Sequence, residues 1–318
     1  MMAKLDREMM DELIFKRDIK DKDVVMGPEY GEDAAIIDLG ENYILAHIDP
    51  ISGAVDNIGW LAINIAANDI AVSGAQPRWG LLNLQFPEKY EKKEISTVMR
   101  DIYKAADELG IEIIGGHSEL LDQIRKPLIT TTMMGDTKEP IFTKGSEPGD
   151  KIIQVGEAGI EGTWILASDF EKELLDLGVH RVVIDKAKGL KQEISVVEDA
   201  NYVSSKYPVT SMHDPTEGGI LQGLYEMAVA SKNRFNLTSQ PKTKDITSEI
   251  CDKLNLNPLA LISSGCLIFT VPNSIEVKEG KVIGEVEEGD PDLIVFEDKL
   301  KEPIQEDELF RVIKELER

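Results

Sequence analysis

The stretch DNIGWLAINIAANDIAVSG, residues 56–74, constrains the fold more than any other part of this 318-residue chain. It is rich in Ala, Ile and Leu and ends in glycine, the composition of a buried helix with a glycine C-cap. A helix that is apolar all round has to be packed on several sides. Yet Asp69 stands inside it. A carboxylate on such a helix is costly to bury without a partner, so a cation or a set of donors is expected to meet it.

Just upstream, GEDAAIIDLGENYILAHIDP (31–50) reads as two β-like runs, 35–39 and 43–48, joined by a Gly40-Glu41-Asn42 turn. An acid flanks each outer end: Asp33 before the first run and Asp49 after the second. Turn-capping is the ordinary use of Asp at such places. Aspartates at the edges of neighbouring elements are also the hard oxygen ligands that suit Mg2+, which completes its shell with phosphate and water. On that reading the hairpin rim presents Asp33 and Asp49 to a metal, and Asp69 belongs to the same set.

Elsewhere the pattern alternates. Residues 1–20 read as a helix, RWGLLNLQFP as a strand, and KKEISTVMRDIYKAADELG as an amphipathic helix stopping at Gly110. IEIIGG reads as a strand ending in a glycine pair, and PLITTTMMG as another. Periodicity is lost over 136–150, which sets a boundary between domains at 1–140 and 150–318. Beyond it come the strand KIIQVGEAG, the helices IEGTWILASDF and VVEDANYVSSKY, and a glycine-initiated helix after HDPTEGG. The late strands CLIFTVP and KVIGEVEEG precede a closing helix, DELFRVIKELER. FEKELLDLGVHRVVIDKAKGLKQEI is amphipathic and reads as a solvated helix or as a substrate lid. Strands and helices alternating in both halves predict an α/β or α+β protein.

Acidic residues outnumber basic ones 59 to 35, for a net charge of −24. Such a surface repels nucleic acid and anionic lipid, so neither is an expected partner. An anionic ligand would need a metal ion or a few placed lysines. No apolar run approaches the roughly 18 residues of a membrane span, and the N-terminus lacks a signal peptide's apolar segment. Only two cysteines occur, Cys251 and Cys266, without a C-x-x-C. The expectation is a reducing, cytoplasmic setting with no zinc or iron–sulfur site.

Two further segments bear on chemistry. In GGHSE, the pair Gly115-Gly116 would let backbone N–H groups approach a phosphate, with His117 and Glu119 beside them. A plain turn and a hydrogen-bonded structural histidine are the alternatives. In HDPTEGGILQGL (213–224), Asp214 or Thr216 reads as a helix cap, and Gly218-Gly219 as an anion-accepting helix start or a close packing contact. There is no P-loop, no G-x-G-x-x-G after a strand and no kinase-type signature. ATP use would therefore rest on acids and glycines.

Taken in order, GPEYGEDAAIID, HIDPISGAVDNIGWLAINIAANDIAVSGAQPRW, IIGGHSE, EPGDKIIQVGEAGIEGTWILA, SMHDPTEGGILQGLYEMA and NPLALISSGCLIF resemble the superfamily of aminoimidazole ribonucleotide (AIR) synthase, the PurM-like proteins, over roughly residues 3–290. DPTEGG looks most like the branch of the hydrogenase maturation factor HypE, less like the thiamine-monophosphate kinases. The resemblance implies a two-domain fold whose N-terminal sheets pair into a barrel in a homodimer, with an α/β C-terminal domain on each subunit. It implies ATP and Mg2+ in a cleft near that interface.

Carried over by motif, Asp33, Asp49 and Asp69 would hold Mg2+. Asn68, Gly115, Gly116, Glu119 and Lys4 would meet the nucleotide, and Asp214 and His117 would be catalytic. Relatives use ATP to phosphorylate an amide, carbonyl-type or hydroxyl oxygen, making it a good leaving group. The resemblance thus implies phosphoryl transfer to an acceptor that the sequence does not identify. HypE proper carries its carbamoyl group on a C-terminal cysteine, and this chain has no cysteine after Cys266, so carbamoyl dehydration is not expected of it. A nucleotide-binding maturation or scaffold protein without turnover, and a small-molecule kinase of the thiamine-monophosphate type, are the competing readings.

Overall fold

The computed structural model describes residues 7–16, 18–51, 57–296, 298–300, 304 and 306–316. Lys4 lies outside them. The first helix, read over residues 1–20, is described as α1 (Arg7–Leu13). Six strands follow in the first sheet: β1 (Val24–Met26), β2 (Ala35–Asp38), β3 (Tyr43–Ile51), β4 (Gln76–Pro87), β5 (Glu112–Leu121) and β6 (Leu128–Thr137), in the spatial order β1-β2-β3-β6-β4-β5. The helix α3 (Lys92–Leu109) carries the chain from β4 to β5, the one parallel pair of this sheet. Gly110, at φ +69°, ends α3 in the left-handed conformation that glycine adopts without a Cβ clash.

Strand alternation fixes the two faces of this sheet. On β6, Ile129, Thr131 and Met133 are buried while the residues between them are half-buried. The helix α2 (Ile58–Val72) packs on that buried face against β3 and β6, and α3 packs on α2. Every residue of α2 is buried, as its sequence requires. On the opposite face Ile48, Thr132 and Leu81 stand side by side across β3, β6 and β4. Ile48 and Leu81 stay 63% and 37% exposed there.

The second sheet holds β7 (Asp150–Gly156), β8 (Ser211–His213), β9 (Arg234–Leu237), β10 (Cys266–Pro272), β11 (Lys281–Glu287), β12 (Asp292–Val295) and β13 (Asp298–Leu300), ordered β13-β12-β9-β11-β7-β10-β8. Its helices are α4 (Ile160–Asp169), α5 (Glu171–Asp176), α6 (Arg181–Gly189), α7 (Val197–Lys206), α8 (Gly219–Ser231), α9 (Asp245–Leu254) and α10 (Glu308–Leu316). β10 reads as an apolar run broken only by Thr270 because both of its faces are covered. Cys266 and Ile268 share a core with Ile220 and Leu224 of α8, while Leu267, Phe269 and Val271 share one with Trp164 and Leu166 of α4. That second core continues without a break into α2, which also touches α7 and β8. The two halves are thus joined through α2. No helix among the described residues is long and apolar enough to cross a membrane.

Three local expectations change. Asp49 lies inside β3, because β3 keeps pairing with β6 to Ile51. β5 does not stop at its glycine pair but runs on to Leu121 beside β4. The glycines are still required there: Gly116 sits at φ +150°, and a Cβ on it would come 1.9 Å from the Leu82 carbonyl oxygen. They follow a bulge in which Ile114 has no partner, since Gly80 pairs with Ile113 and Leu81 with Gly115. Finally, the segment read as a solvated helix or lid is α5 and α6, whose Leu174, Val183, Ile184 and Ala187 are buried in the core with α4.

Candidate active site

Asp33 is held by the loop that enters β2. The carboxylate of its neighbour Glu32 accepts hydrogen bonds from the main-chain N–H groups of Thr143 and Lys144, each at 3.0 Å, at a single 3-10 turn, Thr143–Gly145. Burial raises the pKa of Glu32, and these two N–H groups temper the rise. The Thr143 hydroxyl donates to Asp33 Oδ2 at 3.1 Å. The loop of the first half is therefore docked on the start of the second.

His47 supplies what Asp69 was expected to need. From β3 its Nδ1 bonds the main-chain oxygen of Asp33, and its Nε2 lies 3.3 Å from Asp69 Oδ2. Asp69 itself is 8% exposed. One imidazole thus ties the rim of the hairpin to the acid of the apolar helix.

The second half meets this rim through the end of β8. His213 Nδ1 lies 2.9 Å from Asp33 Oδ2, and Nε2 lies 3.5 Å from Glu226 Oε2 of α8. Burial pushes the His213 pKa down, but Asp33 and then Glu226 outweigh it and hold the ring well above its ordinary 6.5. Asp214 follows at 1% exposure, and neither of its carboxylate oxygens has a hydrogen-bond partner among the described residues. Its pKa is raised well above 3.8, by burial first and then by the charges of Asp69 and Asp33. Asp33, His213 and Asp214 each offer one ligand atom, all within 4.8 Å of one another. Asp214 was read as a helix cap. The N-cap of α8 is instead Gly218, at φ +81°.

Asp49 is half-buried on β3, two residues beyond His47 and so on the same face. Its charge reaches Glu161 of α4. Glu161 is 4% exposed, its Oε2 has no hydrogen-bond partner among the described residues, and burial pushes its pKa up to about 8. The start of α8, read as an anion acceptor, is filled by the chain itself. Asp307 takes the Gly218 N–H at 2.6 Å and the Leu309 N–H at 2.7 Å. Burial carries Asp307 up to about 7 despite those bonds.

The other expected residues lie elsewhere. Asn68 is fully buried, and both ends of its amide bond the main chain of Ile194 and Val196. His117 is exposed on β5, 3.9 Å from Glu119, which in turn accepts from Gln85 Nε2 at 2.8 Å. Leu81, Gln85 and Glu119 place this group on the sheet face away from α2. Register sets Asp49, Thr131, Leu82 and Gly116 in one row, so Gly116 stands three strands, about 14 Å, from Asp49. Within one chain the aspartates converge, and the GGHSE group does not join them.

Residues 31–137 match the N-terminal domain of AIR synthase related proteins, and residues 147–296 match their C-terminal domain. The chain belongs to the AIR synthase-related family. A protein of Methanocaldococcus jannaschii named for hydrogenase expression and formation is 27% identical over 282 residues, 85% of this chain and 80% of that one. Among solved structures, AaThiL complexed with AMPPCP and TMP superposes at a TM-score of 0.78 with 19% identity, covering 94% of this chain and 96% of the other. The hydrogenase maturation protein HypE in complex with ATP gives a TM-score of 0.64, also at 19% identity, covering 95% and 96%. These likenesses establish a PurM-like fold.

His47, His213, Glu226, Glu161 and Asp307 are the residues that sequence reading missed. The two histidines left a signal, since each stands within two residues of an aspartate already singled out, in AHIDP and MHDP.

Proposed function

We propose that this protein binds ATP with Mg2+ at the aspartate cluster and transfers the terminal phosphoryl group to an oxygen of an acceptor. One observation carries the reading. Asp214, buried and with both carboxylate oxygens unpaired, faces Asp33 and Asp69 from the other half of the chain. Carboxylates brought so close in a dry site repel one another unless a cation stands between them. The donor set is mostly hard oxygen, which fits Mg2+. Asp33, Asp49 and Asp69 would hold the ion, which would offset charge on the transferring phosphoryl group.

The chain's own groups divide the remaining work. His47 fixes Asp33 and Asp69 relative to each other. Asp214 would complete the cluster from the second half of the chain, its carboxylate beside the transferring phosphoryl group. Neither cysteine is a candidate carrier, since both are buried and burial pushes both thiols up to about 12. We take 1–140 and 150–318 as the two domains, and a homodimer as the working form, with the face bearing Ile48 and Leu81 against its counterpart. In that form Gly115, Gly116, His117 and Glu119 would meet a nucleotide only across the subunit interface. A cytoplasmic enzyme of this kind, related to HypE, awaits its acceptor.

ADP formation tests the reading. Purified protein, ATP and Mg2+ should give a slow background, raised about tenfold or more by a low-molecular-weight fraction that contains the acceptor. Tight ATP binding with no ADP above background in any fraction would favour a nucleotide-binding scaffold instead.

A further inference from the structure

The buried group of Asp33, His213 and Asp214 mixes ring nitrogen with carboxylate oxygen. Resting on the metal-dependent reading above, we infer that His213 is a metal ligand, and that Asp33, His213 and Asp214 form a mixed nitrogen–oxygen position selective for a first-row transition dication such as Mn2+ or Co2+ over Mg2+.

The geometry supports this in three ways. The three ligand atoms lie within 4.8 Å of one another although they come from two halves of the chain. His213 Nδ1 and Asp33 Oδ2 are 2.9 Å apart, a hydrogen bond whose proton the ion would displace on binding. Two neighbouring ligands of an octahedral ion with bonds of about 2.1 Å sit about 3 Å apart, so the pair is already spaced as cis ligands are. Asp214 then supplies the independent sign of a missing occupant: a carboxylate at 1% exposure with neither oxygen satisfied. A buried carboxylate in that condition is expensive and marks a place where something binds.

The identity of the ion follows from ligand chemistry. Mg2+ favours oxygen and keeps several waters, so an imidazole adds little for it. Imidazole is a better ligand for first-row transition dications than for Mg2+, and across that series Mn2+ binds a given nitrogen–oxygen site most weakly and Co2+ more tightly. Glu226 Oε2 lies 3.5 Å from the other ring nitrogen of His213, which has no hydrogen-bond partner among the described residues, and would supply the outer carboxylate that commonly orients a ligating imidazole. Asp49 and Asp69 remain for the ion that accompanies the nucleotide, and Asp33 would be shared between the two positions. The two positions would differ in chemistry within one cluster.

The test is competition binding of Mn2+, Co2+ and Mg2+ to the metal-free, full-length protein without nucleotide, with ATP affinity measured in parallel. Mn2+ or Co2+ should bind about tenfold or more tightly than Mg2+. In the His213→Gln variant that preference should fall to within about twofold, with Mg2+ binding little changed. Pulsed electron paramagnetic resonance of bound Mn2+ in the wild-type protein should show a directly bonded ring nitrogen, a readout that needs no variant to fold. No preference in the wild type, a preference kept in the variant, or no nitrogen coupling would each overturn the inference. If ATP binds with Mg2+ while the transition-ion preference is absent, this inference fails and the proposed function stands. If Mn2+ shows its nitrogen ligand while ATP does not bind, the reverse holds.

Discussion

The main-chain N–H of Val196 donates to Oδ1 of Asn68 at 2.9 Å, and the Asn68 amide returns a hydrogen bond to the Ile194 carbonyl at 3.0 Å. Adjacent residues of one helix therefore face two tasks: Asn68 fastens α2 to the second half, and Asp69 turns toward His47. The Asn68→Ala variant leaves a buried N–H and a buried C=O unpaired, each costing about 1–3 kcal/mol. Thermal unfolding should move down by several degrees, and an unchanged midpoint would contradict the joint.

Glu161 gives stability a pH dependence of known sign. Its folded pKa of about 8 lies above the ordinary 4.5, so the folded chain holds this proton where the unfolded chain has lost it. The contribution is complete below about 4.5 and is lost as pH rises through about 8. Asp307, raised from 3.8 to about 7, acts in the same direction. The Glu161→Gln variant should unfold near the wild-type temperature at pH 5. By pH 8.5 it should unfold several degrees above wild type, a difference of the order of a few kcal/mol. Parallel melting curves across that range would show that Glu161 does not titrate in this way.

The exposed Ile48 and Leu81 make oligomeric state a direct readout. Ile48, at 63% exposure, stands next to Thr132 and Leu81 on the sheet face away from α2. Sedimentation should give twice the chain mass for wild type and a monomer for Ile48→Lys, since a charge placed in a packed apolar interface is costly. A wild-type monomer at micromolar concentration would remove the dimer from the account.

Asp214 separates binding from turnover. With the acceptor in hand, Asp214→Asn keeps the shape of the site but takes a negative charge from the cluster. Turnover should fall by about 10–100-fold with ATP affinity changed only a few-fold. Equal losses of affinity and rate would assign Asp214 to nucleotide binding.

Much of this architecture is written in local pattern. The apolar α2, the amphipathic α3 with its terminal Gly110, and the alternation of β6 follow from periodicity within each segment. Asp69 also declares itself, because an acid inside an apolar helix is conspicuous, whereas Asp33 and Asp214, which read equally as caps, are singled out by the family resemblance. What periodicity does not carry is who meets whom. His213 and Asp33 are 180 residues apart, and Asp307 reaches Gly218 across 89. Nothing near Asn68 announces that its amide is used up on residues 194–196. β5 misled for a related reason. Its glycine pair looks like a strand end, yet pairing with β4 carries the strand through it.

The central claim is that ATP is held through a metal at these aspartates, and calorimetric titration of ATP tests it most directly. The titration is made with Mg2+ and again with EDTA, for wild type and for Asp69→Ala. The account predicts binding that requires Mg2+ and is lost or weakened at least tenfold in the variant, with the variant still folded. Absence of binding in wild type, or binding indifferent to both EDTA and Asp69, would contradict it.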